Sequence, residues 1–292
     1  MEYTATMNYD ITHTTEYDYS DSVAVAHHVA RLKPRDLRHQ ECLDHELAVA
    51  PAPAVTSTHE DYFGNLVTVV AMQGPHTRLV IRARSTVTVT APDLPHPGDT
   101  PPWETAADPT TMPFDAIEFL FDSTASRSQF IVEDFARASF PPGRPLLEGV
   151  VELTARIHAE FTFDPRATTV ATPLTEVFAS RRGVCQDFAR LEIACLRSLG
   201  IPARYVSGYM ETVPPPGTPR LVGADASHAW LTVYCPGSGW IPVDPTNNLL
   251  PSDTHITVAW GRDYHDVSPI RGVILGGGAH ALQVHVDVVR LD

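Results

Sequence analysis

Alternation with a period of two dominates the first ninety residues. In "YDITHTTEYDY" the positions Tyr9, Ile11, His13, Thr15, Tyr17 and Tyr19 share one parity, and in "LVIRARSTVTV" Leu79, Ile81, Ala83, Val87 and Val89 alternate with Arg82, Arg84, Thr86 and Thr88. That period predicts half-buried antiparallel strands. Between them, "DYFGNLVTVVAM" sets a Gly64-Asn65 turn signal between apolar runs, which predicts a hairpin. Residues 1–90 are therefore expected to form a β-rich N-terminal domain, sandwich or barrel-like.

The pattern then breaks. "APDLPHPGDTPPWETAADPTTM", residues 91–112, holds six prolines and few aliphatic residues, so neither a sheet nor a helix can run far through it, and it is expected to be a linker. Beyond it, "FDAIEFLFDSTASRSQFIVEDFARASF" and "PLLEGVVELTARIHAEFTFDP" carry helical periodicity, each closed by prolines or an extended stretch. A third helix is predicted from Cys185 onward, with Phe188, Leu191, Cys195 and Leu199 as its apolar stripe. Gly200 and Pro202 stop it. Strands follow in "ARYVSGYM", "HAWLTVYC", "WIPVDPT" and "ALQVHVDVVRL", which makes residues 113–292 a second, α+β domain; "VPPPGTP" at 213–219 reads as an exposed loop.

Composition narrows the function classes. The chain has 292 residues, 43% of them hydrophobic, enough for a sizeable core. Thirty-five acidic against 21 basic residues give a formal charge of -14, which argues against nucleic acid or an anionic membrane as partner. The cysteines at 42, 185, 195 and 235 form no CxxC pair and no closely spaced ladder, so neither a zinc knuckle nor a disulfide framework is indicated, and no metal or other cofactor is expected. The first twenty residues lack a signal peptide's basic and apolar regions, and no stretch approaches the roughly 18 apolar residues of a membrane span. A cytoplasmic, soluble protein is the expectation, and nothing in the sequence speaks to its oligomeric state.

Cys185 stands apart from the other cysteines. Cys195 belongs to the apolar stripe, and Cys42 and Cys235 read as small buried hydrophobes. Cys185 falls in a helix's first turn, where free backbone N–H groups and the positive end of the dipole favour a thiolate. A thiolate nucleophile needs a base, and the base an orienting group. "SHAWLTVYCPGSGWIPVDPT" supplies His228 and Asp244. If Cys235 to Gly239 form a hairpin loop, Tyr234 pairs with Trp240 and Trp230 with Asp244, so His228 and Asp244 become diagonal neighbours on one face. A bulge would destroy this register, and Pro242 marks an edge strand or an irregularity. Cys185 facing that pair would complete a Cys–His–Asp triad, with the backbone N–H of Cys185 or Gln186 as an oxyanion donor. Trp230 and Trp240 fall on the same face and could roof the cleft, and Asp225 could shape the approach to His228. A zinc site built on Cys185, His228 and Asp244 is the weaker reading, because closely spaced ligand pairs are absent.

In order and character, "GVCQDFARLEIACLRSLGIPARYVSGY", "HAWLTVY" and "GWIPVDPT" resemble the core of the transglutaminase-like (papain-like) superfamily, over roughly residues 145–250. "YDITHTTEYDYSDSV", "LKPRD" and "DYFGN" resemble the β-domain that precedes this core in bacterial transglutaminase-like proteins, and "RGVILGGGAHALQVHVDVV" is similar to their C-terminal end. The resemblance implies a nucleophile-bearing helix packed on an antiparallel sheet. It implies Cys185 as nucleophile, His228 as general base and acid, and Asp244 as orienting carboxylate. The implied reaction is acyl transfer on a peptide or protein substrate, the thioester being resolved by water (a protease or amidase) or by an amine (a cross-linking transglutaminase). A non-enzymatic interaction module on the same fold is the competing expectation.

Overall fold

The computed structural model describes residues 6–121, 129–212 and 227–291. The alternating N-terminal stretch becomes four strands, β1 (Thr6–Ala30), β2 (Gln40–Ala50), β3 (Val55–Glu60) and β4 (Leu66–Thr90), paired antiparallel around β4. The β1–β4 register sets Tyr9 opposite Val87, His13 opposite Ala83 and Thr15 opposite Ile81, all six buried, while Asp10 and Arg84 form an ion pair on the exposed face. At the expected hairpin, Gly64 takes φ +70°, and Asp61 Oδ1 accepts the backbone N–H groups of Phe63 and Asn65.

The proline-rich segment is laid against the helices rather than left free. It contains a four-residue turn of helix, α1 (Trp103–Ala106), and the Trp103 indole donates to the Pro141 carbonyl at 3.1 Å and packs edge-on against Phe140. Then come α2 (Phe114–Ile117), α3 (Gln129–Arg137), α4 (Leu146–Glu160), β5 (Thr162–Phe163), α5 (Leu174–Ser180), β6 (Arg182–Gly183) and α6 (Cys185–Ser198). Phe188, Leu191, Cys195 and Leu199 are buried, as their spacing predicts, and Gly200 ends the helix at φ +80°.

β7 (Ala203–Met210), β8 (Ser227–Cys235), β9 (Gly239–Val243) and β10 (His255–Gly261) form a second antiparallel sheet in the order β10–β7–β8–β9. Pro242 lies on β9, an edge strand, where its missing N–H costs no interior bond. After α7 (Tyr264–Val267) the chain leaves this sheet. β11 (Ile270–Gly276) and β12 (His280–Leu291) return to the first sheet and share the outer edge of β1, with His13 opposite Val286 and Ala26 opposite Ile274. The expected division at 113–292 is corrected in this respect: the last strands complete the N-terminal sheet, because the 25-residue β1 would otherwise expose one whole edge.

The two sheets share one apolar core, in which Tyr9, Ile11, Val286 and Val288 join Leu191, Leu231 and Ile256. Two carboxamides fasten them further. Gln40 both donates to the Thr257 carbonyl and accepts its N–H, at 2.8 Å each, and Asn65 does the same for Trp260 at 2.9 Å. Each amide side chain thus continues the ladder of β10 as a further peptide unit would. No helix among the described residues is long and apolar enough to cross a membrane.

Candidate active site

Cys185 is the first residue of α6. Asp187, two residues on, turns back so that its Oδ2 accepts the Val184 N–H at 3.0 Å and the Thr168 hydroxyl at 2.6 Å. This fixes the helix start and places a negative charge in the first turn. Gly183 makes it possible, since a Cβ there would stand 2.9 Å from both Cβ and Oδ2 of Asp187. The N–H groups of Cys185 and Gln186 belong to that first turn, which has no i−4 carbonyl to serve.

The hairpin register follows the count from sequence, with Tyr234 opposite Trp240 and Leu231 opposite Val243. One step further the second strand ends: Asp244 turns away and satisfies its N–H and C=O with Leu249. Its side chain still reaches across, and Oδ2 lies 2.8 Å from His228 Nε2. The Cys185 thiol lies near enough to His228 to help raise the imidazole's pKa. The structure thus joins His228 to Asp244 by a hydrogen bond and sets the Cys185 thiol near His228.

Four further N–H groups hold the carboxylate. Asp244 Oδ2 also meets His255 Nε2 at 3.1 Å and Asn247 Nδ2 at 2.7 Å, while Oδ1 accepts the backbone N–H groups of Thr246 and Asn247 at 2.9 and 3.2 Å. Burial alone would raise the carboxyl pKa, but these bonds and the charge of His228 hold it well below the ordinary carboxylate range. Burial alone would lower His228, but its bond to Asp244 and the nearby Cys185 thiol outweigh that and raise it to about 9. The imidazole is therefore cationic at neutral pH. Glu192, also on α6, is pushed up to about 8 by burial, with the Thr154 hydroxyl opposing and Asp244 adding, so it adds no second negative charge.

Trp230 is buried against both imidazoles, stacked on His228 at 5.8 Å and edge-on to His255 at 5.2 Å, so it backs the site rather than roofing it. Gly208 admits it: a Cβ there would come 2.6 Å from the indole and 2.1 Å from the Ile256 carbonyl. The expectation for Trp240 is corrected. It sits opposite Tyr234, six strand positions and roughly 20 Å from His228, packed against Tyr234, Phe119 and Arg204. Asp225 and the 213–219 loop lie outside the described residues.

Sequence reasoning missed His255, Asn247 and Asp187. Asn247 had a local signal, an Asx-type position three residues after Asp244; His255 had none, because it arrives from β10 on the far side of β7. The ligand atoms of His228, Asp244 and His255 lie within 4.8 Å of one another, a spacing a metal ion could bridge. The donor chemistry does not fit one well: three N–H groups already converge on Asp244 Oδ2, and a cation would have to displace them all.

The uncharacterized protein Rv2569c of Mycobacterium tuberculosis is 42% identical over 98% of this chain and 94% of its own length. A protein-glutamine gamma-glutamyltransferase of Pseudomonas aeruginosa is 36% identical over 107 residues, 34% of this chain and 16% of that protein. A crystal structure from Cytophaga hutchinsonii, provisionally assigned as a cysteine protease, shares the fold with a TM-score of 0.79 at 23% identity, covering 99% of this chain and 92% of that one. Models of the bacterial transglutaminase-like N-terminal region and of the transglutaminase-like superfamily match residues 9–88 and 134–245. A core of that kind, preceded by a sheet that the N-terminal model matches, makes this chain a member of the transglutaminase-like superfamily.

Proposed function

We propose that the protein is a cysteine-dependent acyl-transfer enzyme acting on peptide or amide substrates, with hydrolysis as its main outcome. The observation that carries this reading is a half-buried Cys185 at the start of a helix, near a cationic His228 that is hydrogen-bonded to a buried, ionised Asp244. An imidazolium beside a sulfur nucleophile is the charge arrangement that supports thiolate attack.

Cys185 Sγ attacks the carbonyl carbon, and the first-turn N–H groups of Cys185 and Gln186 are the donors nearest the developing oxyanion. His228 then protonates the departing amine as the tetrahedral intermediate collapses to a thioester. A water molecule, deprotonated by His228, attacks that thioester and releases the acid. Asp244 keeps the proton on Nε2 and the other ring nitrogen turned toward sulfur. The likeness to the Pseudomonas gamma-glutamyltransferase over 107 residues supports a second reading, in which a primary amine replaces the water.

Two measurements test this. Iodoacetamide alkylation of Cys185 followed against pH should be fast below the normal thiol range in the wild type and slow in His228→Ala. Equal, slow labelling in both would leave an interaction module as the better account. Casein incubated with a labelled primary amine then separates the outcomes: new chain termini support hydrolysis, and amine incorporation supports cross-linking.

A further inference from the structure

β10 is the outer strand of the second sheet, and it carries His255. An outer strand turns a row of backbone N–H and C=O groups away from its sheet and yields more easily than an interior one. Here the N-terminal domain fills that row at Thr257. Gln40 Oε1 accepts the Thr257 N–H and Gln40 Nε2 donates to the Thr257 carbonyl, both at 2.8 Å, and the Arg35 backbone N–H donates to the same carbonyl at 3.0 Å. Gln40 Nε2 directs its other hydrogen at the Arg35 carbonyl, 2.7 Å away, and the residue is 3% exposed. The amide is therefore fixed in one orientation, since only its nitrogen can serve two carbonyls.

Thr257 is two residues from His255 on the same face of β10, and His255 Nε2 meets Asp244 Oδ2 at 3.1 Å. Across β7, Thr257 shares one row with Gly208 and His228. A displacement of β10 at Thr257 would therefore carry His255 past the His228–Asp244 pair. We propose that Gln40 is a positioning residue for the site: by pinning β10 at Thr257 it keeps His255 in bonding range of Asp244, which makes the N-terminal sheet part of the acyl-transfer machinery. This rests on the acyl-transfer reading given above.

Asn65 grips β10 in the same way but without the same consequence. It accepts the Trp260 N–H and donates to the Trp260 carbonyl, 2.9 Å each, well beyond His255 along the strand. Between the two clamps the β10–β7 register shifts, from Thr257 to Ala259. An irregularity of that kind interrupts the ladder and lets the strand bend, so the two clamps steady separate stretches of β10.

The test compares Gln40→Met and Asn65→Leu, which remove each amide while filling its space, in the full chain, alone and combined with His255→Ala. Both should lower the thermal midpoint, because each leaves a backbone N–H of β10 without a partner. Only Gln40→Met should also slow casein hydrolysis, with kcat down about three- to tenfold and KM unchanged, the share of one hydrogen bond. Only Gln40→Met should weaken the NMR signal of the His255 Nε2 proton. Joined to His255→Ala it should lower kcat no further, since it acts through that imidazole. Gln40→Glu, whose protonated carboxyl remakes both bonds to Thr257, should recover kcat below its own ionisation. Wild-type kcat in Gln40→Met, equal losses in Gln40→Met and Asn65→Leu, losses that multiply in the double variant, or no recovery in Gln40→Glu at any pH would overturn the role. Iodoacetamide labelling of Cys185 separates this from the reading beneath it: fast labelling in the wild type leaves acyl transfer standing when the role falls, and slow labelling removes both.

Discussion

His13, on β1, and His228, on β8, are both buried imidazoles, 2% and 9% exposed, yet they end in opposite charge states. His13 meets only hydroxyls, Tyr209 and Thr15 at 3.0 Å each, and burial takes it down to about 4. His228 feels the same desolvation, but the carboxylate of Asp244 and the thiol of Cys185 reverse it to about 9. Two carboxyl groups repeat the contrast: Glu192, bonded to one hydroxyl, is pushed up to about 8, while Asp244, bonded by five N–H groups, stays ionised. Burial sets the same cost in both regions, and the charge and number of partners decide which protonation state pays it.

Removing the nucleophile gives the largest effect. Cys185→Ala should abolish turnover while leaving the thermal midpoint near that of the wild type, because a half-buried side chain shrinks and His228 keeps its bond to Asp244. Turnover within about tenfold of the wild type would sink Cys185 as the nucleophile.

The comparison itself is broken by Asp244→Asn. Without the anion, only the Cys185 thiol opposes desolvation of His228: its titration, followed by NMR, should fall from about 9 toward that of His13, and kcat/KM should drop by roughly 10²–10⁴. A His228 that still titrates near 9 would show that Asp244 is not what separates the two sites.

Stability against pH should separate the same pair. A raised folded pKa makes the His228 contribution complete below about 6.5 and lost as pH rises through about 9. A lowered one makes the His13 contribution complete above about 6.5 and lost as pH falls through about 4. Each is on the order of 3 kcal/mol. Unfolding midpoints measured across pH should therefore lose part of their alkaline decline in His228→Gln and part of their acid decline in His13→Gln.

The smallest expected effect is at His255. His255→Ala removes one of five bonds to Asp244 and should cost about tenfold in kcat/KM with KM little changed. His255→Gln restores an N–H donor and should recover most of that loss, whereas a role beyond hydrogen bonding would leave both variants equally slow.

Much of the molecule was legible in local sequence. Alternation placed Tyr9, Ile11, Leu79 and Val87 on buried faces, Gly64 marked the β3–β4 hairpin, and the loop from Cys235 to Gly239 fixed a register that leaves His228 and Asp244 on one side. These features depend on neighbours a few residues apart, where backbone geometry leaves few choices. The return of β11 and β12 to β1, the amide clamps of Gln40 and Asn65 on β10, and the meeting of His255 with Asp244 were decided only by the tertiary structure. Each joins segments whose relative placement follows from shared burial and strand-edge pairing, and neither leaves a period in the chain. Sequence alone thus set which residues could carry the chemistry, while the strand order of the second sheet, which brings β10 to Asp244, decided how firmly that carboxylate is held.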